Sequence, residues 1–200
     1  MVFGKASLAP TRLGSTIEFV NDSAAREEID GYLEPLSVST YGFPGSGEKK
    51  TDVALVIAES YPAAMRAEKA ITVKWRVPES QLVDSEELHK GAKALAQSDE
   101  SDVFVKVGDA DKAITDSPNK ITAEYRTEMI EHAALEPRSA LVQKVDGIFH
   151  IYSGCHSGAI LIQSVAAELG VPVENVVYHP HLIGGSFGDK IYTDQILAAA

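Results

Sequence analysis

With 200 residues, 44 % hydrophobic and 24 % charged, the chain has room for one large globular domain or two small ones. Its formal net charge of -11, from 18 basic and 29 acidic residues, argues against nucleic acid or an anionic membrane surface as a partner, because phosphate binding needs a basic footprint. No apolar run approaches the roughly 18–20 residues of a membrane span, and a single cysteine, Cys155, excludes an internal disulfide and any multi-cysteine zinc or iron–sulfur site within the chain.

The opening MVFGKASLAPTR lacks the long apolar core of a signal peptide. GSTIEFVN (14–21) alternates as a strand, and SAAREEIDG follows as a short helix with Ser23 as N-cap and Gly31 as its stop. YLEPLSVS reads as another strand, and TYGFPGSGEKK (40–50) as a surface loop. DVALVIAES (52–60) is apolar enough for a strand buried on both faces. A helix over 61–70 spaces Ala64, Ala67, Ala70 and Ile71 along one side, and ITVKWRV completes a strand–helix–strand succession. Residues 78–102 are polar and acidic, a connecting segment with a helix over 85–97. VFVKVGDADKAI predicts a short strand and a short helix. KITAEYRTEMIEHAAL predicts a long strand with Ile121, Ala123, Tyr125, Thr127 and Met129 on one face.

From there the pattern sharpens. SALVQKVDGIFHIYS is a hairpin, with Asp146-Gly147 between two alternating runs. SGAILIQSVAAELG is a helix capped by Ser157 and stopped by Gly170, with Pro172 two residues beyond. VENVVYHPHLI is a strand that Pro180 assigns to an edge or a bulge. HLIGGSFGDK (181–190) comes next, and Asp189 is expected to open the last helix. TDQILAAA ends in mid-helical pattern, with no glycine stop or polar tail, which leads us to expect a longer polypeptide, with a frayed C-terminal helix as the alternative.

The glycine stretch invites a phosphate-loop reading, and spacing rejects two versions of it. The sixth position from Gly184 is Asp189 rather than glycine, so G-x-x-x-x-G-K-[ST] fails. Ser186 stands where a dinucleotide fingerprint needs its second glycine. Two readings remain open: a tight strand-to-helix turn, or a backbone-donor anion site in which Gly184, Gly185 and Gly188 permit close approach and Phe187 walls one side.

The order of the motifs carries further information. EHAALEPRSAL (131–141) precedes the hairpin; IYSGCHSG (151–158), AAELGVPVENVVYH (166–179) and LIGGSFGDK (182–190) follow in turn. In this order they resemble the large, molybdenum-binding subunit of the molybdenum hydroxylases, the xanthine dehydrogenase and aldehyde oxidoreductase superfamily, in its isoquinoline 1-oxidoreductase β-subunit branch. The resemblance is strong over 121–200 and weaker upstream, where NDSAAREEIDG and DVALVIAESYPAAMRAEKAITVKW are similar to that family's α/β hammerhead domain. It implies a mixed α/β and α+β fold. Residues 1–120 would form a hammerhead-like domain, and 121–200 the N-terminal part of a molybdopterin-binding domain.

The resemblance also implies a reaction: hydroxylation of an aldehyde or N-heterocycle with oxygen from water. Its cofactor would be molybdenum–molybdopterin in the cytosine dinucleotide form, with electrons passing to 2Fe-2S clusters on a small iron–sulfur partner subunit. A cytochrome c subunit is a further partner the resemblance allows, and it leaves the location open between periplasm and cytoplasm. Carried onto this sequence, the backbone of Phe187 and Gly188 contacts the metal's oxygen ligands or the pterin, and Gly185 allows the close approach. The Glu136-Pro137 pair positions backbone near the site. His156 stands where the family often has a hydrogen-bonding glutamine; an imidazole N–H still donates one bond, with different reach and a pH-dependent charge. The family's general-base glutamate is expected beyond residue 200. The alternative is a non-catalytic binding or assembly domain related to that subunit.

Other clusters carry less. Cys155-His156 at a helix start has the types of a thiolate and base, but neighbours in sequence rarely aim at each other. His132 and Glu136 have zinc-ligand spacing, which converges only on a helix, and Pro137 argues against one. His179 and His181 share a strand face, either as metal ligands or as two exposed polar side chains.

Overall fold

The computed structural model describes residues 1–10, 14–40, 51–79, 84–98 and 102–200. The loop expected at 40–50 lies outside the described residues from 41 onward. Two compact units are present: Met1–Leu82 with His132–Ala200, and Val83–Glu131. The mixed α/β class expected from the sequence is borne out, in small sheets with helices packed on them.

In the N-terminal part of the first unit, β4 (Thr51–Ala58) lies between β1 (Phe3–Ser7) and β3 (Tyr32–Thr40), antiparallel to both. Its central place explains its apolar run: Val53, Ala54, Val56 and Ala58 are all buried. The helix α2 (Tyr61–Ala70) starts where Ser60 accepts a hydrogen bond from the Ala63 N–H, with Pro62 in the first turn. Its buried side, Ala63, Ala64 and Ala67, is made of small residues, which lets the helix lie close against its neighbours. The succession strand–helix–strand is present, but β5 (Thr72–Arg76) pairs with β2 (Thr16–Asn21) in a separate antiparallel ribbon, so it does not return to β4. Asp52 links the two sheets: its carboxylate accepts from the Ile17 N–H at 2.9 Å and its own N–H donates to Ser15 at 2.8 Å.

One cap is not where the sequence suggested. Ser23 is the first residue of α1 (Ser23–Glu28), and Asp22 occupies the cap position without a side-chain cap bond. The Asp22 carboxylate is already used, by the Tyr32 hydroxyl at 2.8 Å and Arg26 at 2.7 Å. Gly31 does stand at positive φ (78°) in the turn after the helix.

The second unit contains α3 (Ser85–Ala96), capped by Asp84 through the N–H groups of Glu86 and Glu87, and α4 (Ala110–Asp116), capped by Asp109. Neither helix buries a residue. Two expected strands are absent here. Residues 103–107 and 121–130 form no ladder among the described residues, and Phe104, Ile121 and Tyr125 are more than nine-tenths exposed. A strand needs a hydrogen-bonding neighbour, and alternation alone does not supply one. Ion pairs tie the second segment to α3 instead: Arg126 to Glu86 at 2.7 Å and Glu124 to Lys93 at 2.8 Å.

In the C-terminal part of the first unit, β6 (Leu141–Val145) and β7 (Ile148–Ser153) form the expected hairpin, with Asp146 and Gly147 both at positive φ (49° and 83°) as a two-residue primed turn requires. The helix α5 (Gly158–Leu169) carries the chain over to β8 (Val176–Pro180), which pairs parallel to β7 and forms the edge, where Pro180 is tolerated. Both ends of α5 match expectation: Ser157 accepts from the Ile160 N–H, and Gly170 takes the left-handed conformation. Ile151, Leu161, Val165, Ala166, Val176 and Ile196 form the core between sheet and helices. Gly158 is needed here, since a Cβ on it would stand 2.9 Å from the Tyr178 ring. The last helix starts later than expected. Asp189–Ile191 is a single 3-10 turn, Tyr192 is extended, and α6 (Asp194–Leu197) begins beyond it. Asp189 cannot cap, because its carboxylate is held by Arg138. Among the described residues, no helix is long and apolar enough to cross a membrane.

Candidate functional site

The chain leaves β8 still in register, with the His181 N–H donating to the Ser153 carbonyl at 3.2 Å, and then turns sharply through Gly184–Gly188. Gly185, Phe187 and Gly188 have φ of 90°, 54° and 103°. Successive residues of mixed handedness turn neighbouring N–H groups into one concavity, an arrangement that suits an anion or a polar oxygen. Among the described residues, the N–H groups of Gly185, Phe187 and Gly188 make no hydrogen bond. Phe187 is 76 % exposed, with its ring edge 3.6 Å from where a Cβ on Gly185 would stand, in a conformation that costs a non-glycine residue strain. A second strained residue, Ala133 at φ 45°, lies beside His132. His132 in turn reaches the loop, with Nε2 3.5 Å from where a Cβ on Gly188 would stand.

Glu136 latches this loop. Its N–H donates to the Gly184 carbonyl at 3.1 Å, and its carboxylate accepts from the Gly184 N–H at 2.6 Å. The same carboxylate pairs with the Lys190 ammonium, whose side chain is 2 % exposed. Gly184 is therefore the glycine of closest approach, since a Cβ there would stand 2.8 Å from the Glu136 Cβ. Lys190 joins the remaining segments. Its N–H donates to Ser186 Oγ at 2.8 Å, and its carbonyl accepts from the His156 N–H at 3.1 Å. A buried ammonium is tolerated only with a counter-charge, and Glu136 supplies it.

Arg138 braces the far side. Its guanidinium makes a two-point pair with Asp189, including Nε to Oδ2 at 2.7 Å, and lies 3.5 Å from Asp194. It also sits over the Tyr192 ring, 5.3 Å from its centroid.

The structure thus gathers Glu136, His156 (through its backbone), Gly185, Phe187 and Gly188 around one loop. Sequence reasoning passed over Arg138 and Lys190, weighed Gly184 only for close approach to a ligand, and weighed His132 only as a zinc pair with Glu136. Opposite charges at 136/190 and 138/189 were visible, but more than fifty residues separate the partners. Cys155 is buried and its thiol donates to the Ser157 carbonyl at 3.6 Å, while the His156 side chain is exposed, so the two form no nucleophile–base pair. His132 and Glu136 are not on a helix. His179 is half-buried against His150 rather than exposed beside His181.

The Lys190 ammonium, and next the Gly184 N–H, hold the Glu136 carboxyl below the usual carboxylate range. A lowered folded-state value means the pair stabilises the fold above the unfolded pKa, near 4.5, and that this contribution is lost as pH falls through the lowered value. Urea unfolding followed from pH 7 to pH 3 is expected to show a shallower acid loss in Glu136→Gln than in the wild type. Identical acid limbs would refute the latch as an ion pair.

The donor set fits the cofactor that the family resemblance implies. Among the described residues, backbone N–H groups without a hydrogen-bond partner line a turn in which a Cβ at Gly184 would meet Glu136 and one at Gly188 would be strained.

Comparison with known proteins agrees. Residues 95–200 match the molybdopterin cofactor-binding domain family. The chain is 29 % identical, over its whole length, to a quarter (25 %) of a protein named membrane-bound aldehyde dehydrogenase [pyrroloquinoline-quinone] from Gluconacetobacter polyoxogenes. It is also 29 % identical to the aldehyde oxidoreductase molybdenum-binding subunit PaoC of Escherichia coli K12, with 89 % of this chain and 26 % of that protein covered. The chain thus spans about a quarter of the length of the curated relatives it matches. Among solved structures, aldehyde oxidoreductase from Desulfovibrio gigas shares the fold, with a TM-score of 0.66 at 15 % identity over 97 % of this chain and 25 % of that one. On the match across its C-terminal half, the chain belongs to the molybdopterin cofactor-binding domain family, and the resemblance to molybdenum hydroxylase large subunits is borne out.

Proposed function

We propose that the chain works within a larger molybdenum-binding subunit that oxidises an aldehyde or N-heterocycle, with oxygen from water and electrons passed to 2Fe-2S clusters on a partner subunit. The observation that carries this reading is the latched glycine loop, where the backbone donors of Gly185, Phe187 and Gly188 have no partner among the described residues. These N–H groups would hold the molybdenum end of the pterin cofactor, taken here as the cytosine dinucleotide form. When bound, the cofactor supplies the redox chemistry. The chain's own part is to present fixed donors that need no reorganisation as negative charge develops. Glu136 and Lys190 set the loop's position, and His156 offers an imidazole N–H where the family often has an amide. All these residues fall in 121–200, which we take as the start of the cofactor-binding domain, with 1–120 as the hammerhead-like domain. A cytochrome c subunit would be a further electron acceptor.

The aldehyde substrate class is supported by the names of both relatives. One of those names specifies pyrroloquinoline quinone instead of molybdenum, so the cofactor must be measured directly. Purified subunit, expressed with a competent molybdopterin pathway, is expected to contain about one molybdenum per chain by elemental analysis. No molybdenum, with or without a quinone chromophore, would overturn the reading in favour of a quinone-binding or non-catalytic assembly domain.

A further inference from the structure

The β6–β7–β8 sheet has a second face, away from α5, that the cofactor loop does not use. Phe149, Ile151, Val176 and Tyr178 turn toward α5 and its core. Alternation therefore turns His150, Tyr152, Val177 and His179 the other way, and the parallel register sets Tyr152 beside His179. This face is open: Leu141, Val145 and Val177 on it are 45 %, 42 % and 36 % exposed. On it, His150 Nδ1 and His179 Nε2 stand 3.0 Å apart. The Tyr152 ring stacks on His179 with centroids 4.4 Å apart and planes 8° from parallel, which holds that imidazole in its orientation.

We propose that His150 and His179 form a two-point chelate for a first-row divalent metal ion, with zinc as the reference case. Tetrahedral zinc, with Zn–N bonds of about 2.0–2.1 Å, sets two ligand nitrogens about 3.3 Å apart. The observed gap has to open by only about 0.3 Å to meet that requirement. Both backbones are fixed by the β7–β8 ladder, and one ring is fixed by stacking, so little ordering is left for the metal to impose. A hydrogen bond across the gap uses one ring proton, on whichever nitrogen donates. Metal uptake moves that proton to the far nitrogen of its own ring, so no net charge or electron is transferred. Among the described residues, no group of three or more histidine, cysteine or acidic side chains converges as a metal site. Water or an external ligand therefore completes the coordination, which makes the site open and exchangeable. It uses none of the residues assigned to the molybdenum cofactor and does not depend on that assignment.

The test is calorimetric titration of the complete chain, stripped with chelator, with zinc chloride. About one zinc per chain is expected, with affinity weakened by about tenfold or more in His150→Gln and in His179→Gln. His89→Gln, on α3, is expected to bind like the wild type. A second measurement needs no variant: zinc should shield His150 and His179 of the wild-type chain from diethylpyrocarbonate, read by peptide mass spectrometry. Absence of saturable zinc binding, wild-type affinity in both variants, or shielding confined to other histidines would overturn the proposal and leave the pair as a shared hydrogen bond.

Discussion

Arg138→Met is expected to destabilise the protein by about 3 kcal/mol, at the low end of the cost of breaking a buried ion pair. On a chain of this size that corresponds to a fall in unfolding midpoint of roughly 6–12 °C. The argument rests on three side chains that are each about four-fifths buried: Arg138 at 18 % exposure, Asp189 at 20 % and Asp194 at 18 %. Removing the guanidinium takes a shared counter-charge from two carboxylates that stay out of water. The Asp189 carboxylate raises the proton affinity of Arg138 still further, as expected for a close pair. Arg138→Lys should recover only part of the loss, because an ammonium cannot match the two-point fork. The double change Arg138→Met with Asp189→Asn should recover more than the sum of the single effects predicts. Chemical denaturation of these three variants and of Asp189→Asn alone checks this. A change within about 0.5 kcal/mol for Arg138→Met, the range of ordinary surface substitutions, would refute the bracing role.

Gly188→Val is expected to reduce molybdenum content about tenfold or more in the purified subunit, with a much smaller effect on stability. At φ 103° the backbone of Gly188 is where side-chain-bearing residues rarely go, and a β-branched residue tolerates it least. The strain relaxes by moving the loop, which turns the Phe187 and Gly188 N–H groups away from their common direction. The buried Ser186 and Lys190 keep the loop anchored on either side while Phe187 lies in solvent, so the folding energy lost is limited to local strain. Gly91→Ala is the control: Gly91 lies on exposed α3 with open space around it, and its loss should leave molybdenum unchanged. Unchanged metal content in Gly188→Val, measured beside an intact far-ultraviolet circular dichroism spectrum, would place the cofactor elsewhere.

Local chemistry made much of the fold legible. α5 carries its start in Ser157 and its stop in Gly170, and the β6–β7 turn needs two residues at positive φ, which Asp146-Gly147 accepts. Those signals act within a few residues, so composition and spacing suffice to read them. The segment 121–130 shows the limit. Its alternation is as clear as that of β7, yet it forms no strand, because a strand is a relation between two segments and the pattern names only one. Ser23 shows another: a competent capping residue went unused because Asp22, one position earlier, was engaged by Tyr32 and Arg26.

The site divides the same way. By itself the sequence determined that a glycine-rich turn follows a strand, that neither nucleotide-loop spacing is met, and that the motif order is that of molybdenum hydroxylase large subunits. Only the tertiary structure decided what holds the turn. Glu136 and Lys190 are 54 positions apart and Arg138 and Asp189 are 51 apart, and no periodicity connects residues at such separations. It also decided which glycine serves which need: Gly184 for close approach to Glu136, Gly185 and Gly188 for a backbone that other residues resist. The physical reason is that a buried charge must find its partner in space. The chain's path through β7, α5 and β8, rather than any local signal, brings Lys190 to Glu136.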